Sequence, residues 1–469
     1  MRTSELSPLE RVLHLLATVR PGEGRSIALM VTQVFLVLLG YYLIRPLREA
    51  LILAEGTSVV RSYAVGAVAL TLIFLIPLYK LLFDHLDGSS GKSTVLRWVM
   101  GFFIANLLVF CGLGAAGVAI AVPFFIWVGV FSVMVVAQFW AFAADLFNIR
   151  SGQRLFAIIA VGAALGAWCG SRLSGWLIAA IGPFPLMLVA AALLGAALCL
   201  SVYVERSVPT ESRAQDEAPA QSNRPRGLGE LRSSFDVVLR NRYLLLIAFF
   251  VALINWINST GGFILASFVE EYAAQRVGTG NVDAEREVIG QFYGDYFAWI
   301  SVLQLFLQMF VVSRVLKHLG VRAALVMLPL VMVANYGLMA WMPVFALIRV
   351  TMIAENGMNY SLHGTSCHSL FLPLNRQQKY VGKTTIDTFF WRFGDLLHAV
   401  TIFVAAQWLE LAMGTIMLFN LALALVALAV SVLIGREHAR AVQAHTDTRP
   451  TPKPGLLHDV YIRAGERRT

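Results

Sequence analysis

Apolar residues run along this chain in long stretches, each close to or beyond the roughly 20 residues that a helix needs to cross a bilayer. Six come first, at 27–53, 63–83, 95–117, 118–147, 155–181 and 184–204. Six more follow, at 243–269, 293–316, 321–341, 343–374, 382–411 and 413–434. Between the two sets the pattern stops. Residues 205–242 are rich in Arg, Glu, Pro, Ser and Gln, show no apolar stripe, and read as a flexible linker. Residues 1–24 form a polar segment with a short amphipathic piece at 9–19, expected on the membrane surface. Residues 435–469 form a polar, basic, Pro-interrupted tail. The expectation is an all-α membrane protein, with one helical unit over 25–204 and a second over 243–434.

Composition strengthens this reading. With 58% hydrophobic and only 14% charged residues, the chain is an integral membrane protein. No short apolar core with a small-residue cleavage site opens the chain, so no cleaved signal peptide is expected. The net charge of +9 sits mostly in loops and tails. One set of connections carries Lys92, Arg150, Arg154, the Arg-rich linker, Arg314, Lys317, Arg322, Arg376 and Lys379. The alternate set carries Arg61, Arg276 and Arg286. The positive-inside rule then places both termini and the linker in the cytoplasm, with 270–291 as the one sizeable outer loop. The basic balance is a topology signal. No zinc-finger or RNA-binding motif accompanies it, so no nucleic-acid partner is expected.

The halves echo each other. FDHLDGSSGKS follows the second stretch and SRVLKHLGVR the eighth; FNIRSGQRLF follows the fourth and LNRQQKYVGK the tenth. Six plus six spans around a long polar loop resemble the major facilitator superfamily. That resemblance implies 12 transmembrane helices in two six-helix bundles.

The strongest candidate chemistry is IRPLREALILAEG, residues 44–56. Arg45, Arg48 and Glu49 fall where the first helix is still in the bilayer, and a charge there costs about 2.5–3.5 kcal/mol on insertion scales. Such charges face a polar cavity and mark a solute path. Pro46 between them frees backbone groups, which is tolerated where protein or water re-satisfies them. The arginine fork suits phosphate because it donates parallel hydrogen bonds and stays charged. The competing reading is that Arg48 only pairs with a carboxylate on another helix.

The tenth stretch carries Glu355, Asn359 and His363, with Tyr360, at helical spacing. A polar stripe of this kind lines a cavity or faces a polar partner. In the eleventh, Lys383 precedes Asp387 by one turn, and the helix N-terminus there favours phosphate. Asp387, Trp391, Asp395 and His398 follow at steps of four, four and three, which on a regular helix share one face. Arg392 is spaced to pair with Asp395; a purely structural salt-bridge set competes. Asp145 ends the fourth stretch five residues before Arg150, as an ion pair, a gate or a ligand contact. Arg172, among the small residues of GSRLSG, is expected to make a structural pair. Asp295, beside Tyr293 and Tyr296, reads as interfacial.

Other chemistry finds little support. GSSGKST lacks a phosphate loop's first glycine, because Leu86 occupies that position. His363 and His368, five apart, do not share a helix face well and have no third ligand nearby in sequence, so no metal is expected. Cys111, Cys169, Cys199 and Cys367 lie in apolar stretches and read as packing residues. No Gly-x-Ser-x-Gly elbow appears in a soluble context. The expectation is a non-enzymatic chain without a cofactor.

With these residues in hand, the chain resembles the nucleotide transporters of plastids and intracellular bacteria, the ATP/ADP translocase family, distinct from the small mitochondrial carriers. The family's first-helix motif is matched by Arg48, Glu49, Ala50, Leu51 and Ile52. Its fourth-helix stretch is matched by Trp140 through Asp145, followed by Gln153, Arg154, Leu155 and Phe156. Its Lys-x-x-Gly-Lys-x-x-Ile-Asp block is matched by Lys379, Gly382, Lys383, Ile386 and Asp387. Val269 and Glu270 give a weaker match. The chain departs from the pattern where Arg-Glu replaces Lys-Asp, Gln153 replaces Lys and Ala144 replaces Asn.

The resemblance implies an alternating-access transporter exchanging nucleotides of the ATP/ADP type, or a related phosphorylated anionic metabolite. It implies a multi-pass protein of a bacterial inner membrane, acting as a monomer in the lipid bilayer. Arg45, Arg48 and Lys383 would neutralise phosphate. Asp145, Glu270, Glu355 and Asp387 would pair with those cations in the empty site or set coupling. The alternative is a proton-coupled facilitator of another small solute, with Glu355, Asp387 and Asp395 titrating. A third reading is a non-transporting membrane module that docks partners through its linker and tail.

Overall fold

The apolar stretches fold as long helices. The computed structural model describes Glu10 and residues 23–447, apart from 87–91, 148, 208–227, 279 and 376. Among the described residues there is no strand, and 11 helices are long and apolar enough to cross a membrane. The chain is an all-α, multi-pass membrane protein. The expected surface helix at 9–19, the GSSGKST turn up to residue 91 and the end of the tail lie outside the described residues, Glu10 excepted.

The first half comprises α1 (Gly24–Glu55), α2 (Ser58–Leu86), α3 (Lys92–Ala115), α4 (Ala121–Leu146), α5 (Ile149–Ile181) and α6 (Pro183–Ser207). A short α7 (Leu228–Leu239) precedes α8 (Arg242–Val277) and α9 (Val282–Phe306). The π-turn Leu307–Val311 carries α9 on into α10 (Val312–His318), and α11 (Gly320–Trp341) follows. The tenth stretch is α12 (Phe345–Met358), the π-turn Asn359–His363 and α13 (Gly364–Leu370). The eleventh runs from the π-turn Gln378–Gly382 through α14 (Lys383–Thr385) and the π-turn Ile386–Phe390 into α15 (Trp391–Phe403) and the π-turn Val404–Trp408. The last helix is α16 (Met413–Asp447).

Two local expectations change. The stretch read as a structureless linker contains α7, which buries Val238 and sets Phe235 against Phe389 and Phe390, with ring centroids 5.0 and 6.2 Å apart. Its apolar positions are few, and the polar composition around them hides the stripe. The expected outer loop at 270–291 is mostly helix. Nothing breaks α8 before Gly278, whose φ of +79° suits glycine and ends the helix.

Most of the core falls into two large clusters. One lies wholly within residues 27–204. The other comes mostly from 238–434, but also takes in the end of α1 and the start of α2. Helix α1 is central, packed on α4, α5, α6 and α9. Its approach to α5 is permitted by glycines at steps of four. A Cβ on Gly166 would lie 2.5 Å from the Phe35 carbonyl oxygen, and one on Gly170 would lie 2.6 Å from that of Leu39. Small residues at this spacing let helix backbones touch inside a membrane.

The two halves meet near the junction of α1 and α2. Arg286 donates to Glu55 at 2.9 Å, the Ser58 N–H donates to the Glu270 carboxylate at 3.0 Å, and Ser267 Oγ donates to Ser58 Oγ at 2.9 Å. Arg172 on α5 pairs with Asp295 on α9, the structural pairing expected for it. These contacts link the two halves of the chain.

Candidate functional site

Arg45 lies ten residues before the end of α1, about 15 Å along the helix at 1.5 Å per residue. The helix continues through Pro46, which has no N–H to give the Tyr42 carbonyl. At this level α1, α2, α4, α8, α9, α12 and α15 surround a cavity of about 570 Å³, within the usual range for small-molecule sites.

Four guanidinium groups line this cavity, those of Arg45, Arg48, Arg61 and Arg392, against two carboxylates, Glu49 and Asp395. Two positive charges are therefore in excess. Glu49 is fully buried and shared: Arg48 Nε donates to its Oε1 at 3.1 Å, and Arg61 Nε donates to its Oε2 at 2.6 Å. The Arg48 guanidinium also lies 4.6 Å from the centre of the Phe125 ring. Arg45 has no carboxylate partner among the described residues. It donates to the hydroxyls of Tyr42 at 3.1 Å and Tyr360 at 3.5 Å, and rests 4.1 Å from the Phe297 ring centre. Its Nε is buried and unpartnered. A guanidinium held by aromatic rings and hydroxyls keeps its full charge available to an incoming anion.

The rest of the lining is polar without excess charge. Arg392 donates to Asp395 Oδ2 at 3.3 Å, and Asn255 Nδ2 and Ser259 Oγ each donate to Asp395 Oδ1 at 2.8 Å. Asn258 Nδ2 donates to Asn356 Oδ1 at 3.3 Å, and Asn356 Nδ2 donates to the Tyr296 hydroxyl at 3.1 Å. Trp391 and Tyr293 add aromatic faces. The cavity can thus meet an anion through its guanidinium groups and also offers amide edges and ring faces.

Of the residues singled out in the sequence, Arg45, Arg48 and Glu49 line the cavity, as do Trp391 and the Arg392–Asp395 pair. Lys383 and Asp387 form an ion pair with each other and do not line it. Glu270 holds the first N–H of α2. Glu355 and Asn359 are buried behind the wall. The side chain of Asp145 lies outside the described residues. A π-turn bears on one part of this sorting, in the eleventh stretch. A π-turn bonds i to i+5, so it adds a residue and turns the helix before it by about 100° relative to the helix after it. The turn at Ile386–Phe390 separates Asp387 from Trp391, and the regular steps of four do not hold across it.

Sequence reading missed Arg61, counted only among loop charges, and Asn255, Asn258 and Ser259 on α8. The α8 residues fall at i, i+3 and i+4 within an apolar run, a polar stripe that the spacing carries. Arg61 gave a weaker signal, as a lone charge on the fourth residue of α2.

The chain matches the family described as TLC ATP/ADP transporter over residues 124–435. It is 23% identical over 300 residues to ADP,ATP carrier protein 1 of Chlamydia trachomatis serovar D, covering 56% of this chain and 54% of that protein. It is 21% identical over 297 residues to the protein of the same name from Chlamydia pneumoniae, covering 56% of each. The chain thus spans about half the length of the curated relatives it matches. Among solved structures it is similar in fold to the nucleoside transporter NupG, with a TM-score of 0.60 at 12% identity, over 89% of this chain and 98% of that one. It is likewise similar to a bacterial homologue of the iron transporter ferroportin, with a TM-score of 0.61 at 14% identity, over 88% and 98%.

Proposed function

We propose that this chain, which belongs to the TLC ATP/ADP transporter family, exchanges a nucleotide or a related phosphorylated anion across a membrane by alternating access. The observation that carries the reading is the cavity among the membrane helices with two cations in excess, lined also by amides and aromatic rings. Arg45, Arg48 and Arg61 receive the phosphates. Trp391, Tyr293 and the Asn258–Asn356 pair receive the rest of the solute. No bond of the solute breaks; binding only biases the inward and outward states.

In this reading the fold is of the major facilitator type, with 12 spans in two six-helix bundles, 25–204 and 243–434. The run from α12 through α13 serves as the tenth span. The basic connections put the termini and the linker in the cytoplasm of a bacterium, with the protein in its inner membrane. The contacts among Glu55, Arg286, Ser58 and Glu270 then close the outer side, and the cavity faces inward. The Lys383–Asp387 pair sits towards the cytoplasmic mouth, where it meets the solute before the cavity does.

Counterflow in proteoliposomes with a panel of labelled nucleotides tests this. Entry of at least one nucleotide is expected, and Arg48→Ala is expected to abolish it. A protein that is folded and inserted yet exchanges no nucleotide or phosphorylated solute sinks the reading.

A further inference from the structure

Among the described residues, one fully buried acid, Glu355, has no cation partner. Glu355 on α12 is fully buried one layer behind the cavity, and its neighbour Asn356 lines the wall. Its Oε2 accepts from Asn335 Nδ2 at 3.1 Å, and its Oε1 lies 3.0 Å from the Tyr336 hydroxyl; both partners are on α11. The other groups around it are neutral too: the Ile257 carbonyl and Asn258 amide of α8, and the Tyr296 hydroxyl of α9. Arg349, on its own helix, rests instead over the Phe292 ring, 5.4 Å from the ring centre.

The hydrogens can be counted. The Tyr336 oxygen lies within reach of two acceptors, Glu355 Oε1 at 3.0 Å and the Ile257 carbonyl at 3.4 Å, but it has one hydrogen to give. With a proton on Oε1 both contacts are made at once: the acid donates to Tyr336, and Tyr336 donates to Ile257. An ionised Glu355 would instead be a buried charge with neutral hydrogen-bond partners and no cation, which is disfavoured. The alternative state is provided for as well. When the proton leaves, Tyr336 turns its hydrogen to the carboxylate, and the Ile257 carbonyl keeps the Asn420 amide, which donates to it at 3.1 Å. Gly261 gives the hydroxyl its place, since a Cβ there would lie 2.2 Å from the Tyr336 oxygen.

We propose that Glu355 is a proton-binding site coupled to the cavity, holding one proton between its carboxyl and Tyr336 and exchanging it with cavity water past Asn258 and Asn356. The proton leaves as H⁺ to water and returns from it, with no other bond made or broken. An anion that engages the Asn258–Asn356 pair changes the surroundings of the acid one residue away.

Infrared difference spectroscopy of the full chain in detergent, titrated from alkaline to acidic pH, reads the C=O stretch of a protonated acid and needs no solute. The wild type is expected to show a buried-acid band that Glu355→Gln removes. Tyr336→Phe keeps the acid but deletes its acceptor, so the band is expected to persist at higher frequency. A wild-type spectrum that Glu355→Gln leaves unchanged overturns the proposal. In proteoliposomes loaded with ADP, labelled ATP entry is expected to respond to an imposed pH gradient at clamped potential, and Glu355→Gln is expected to lose that response. A response that survives Glu355→Gln also overturns it. If ATP does not enter at all, the nucleotide reading fails while the infrared band still decides the proton site.

Discussion

Glu49 sets how firmly the cavity can hold an anion. It engages both Arg48 and Arg61, so it neutralises part of their charge while the site is empty. Glu49→Gln should therefore strengthen anion binding and slow exchange, because a solute held more tightly in one state leaves it less readily. Saturation and turnover in counterflow would separate the two effects; looser binding would show that Glu49 has another role. Removing a charged hydrogen-bonding partner costs about 1.5–3 kcal/mol, so Arg45→Ala should weaken anion binding by about ten- to a hundredfold, read from the concentration dependence of uptake. The candidate residues on α1 were legible in sequence because guanidinium groups in an apolar run have few places to go. Arg61 was not, because its partner Glu49 lies on another helix and only packing brings the two together.

The close contact of α1 with α5 is decided by the absence of side-chain atoms. Gly166→Val would drive methyl groups into the α1 backbone at Phe35. Overpacking of this kind costs about 1–3 kcal/mol, so thermal unfolding in detergent should shift clearly downward. An unchanged midpoint would mean that the two helices separate without penalty. The same scale explains where sequence reading lost its phase. Helix periodicity placed Asp387 on the face of Trp391 and Asp395, and it placed Glu355, Asn359 and His363 on one stripe. The π-turn Ile386–Phe390 interrupts the first of these registers. In the tenth stretch it is the neighbouring stripe that reaches the cavity: Asn356 and Tyr360, four apart, line it, while Glu355 and Asn359, also four apart, are buried behind it.

For the whole molecule, the contacts between the halves make a direct test of alternating access. Ser58 Oγ and Ser267 Oγ lie 2.9 Å apart on opposite halves, so the two side chains meet across the seam. With the four native cysteines replaced, Ser58→Cys combined with Ser267→Cys should crosslink under oxidation and stop exchange, and reduction should restore it. Exchange that continues through a complete crosslink would rule out rocking at this seam. Arg286→Ala, which removes the partner of Glu55, should shift the population towards the opposite state, seen as faster labelling of a cysteine placed on the outer side of the seam.

The sequence by itself determined the solvent of this protein and the number and length of its apolar runs, because bilayer thickness constrains any chain that crosses it. It also singled out the α1 arginines, since burying charge in lipid demands a reason. Only the tertiary structure decided which charges share a cavity and which pair at its edges. Helix register across π-turns, and contacts between residues 12 to 315 positions apart such as Arg61–Glu49 and Arg45–Tyr360, depend on how the helices pack, and local spacing carries no record of that.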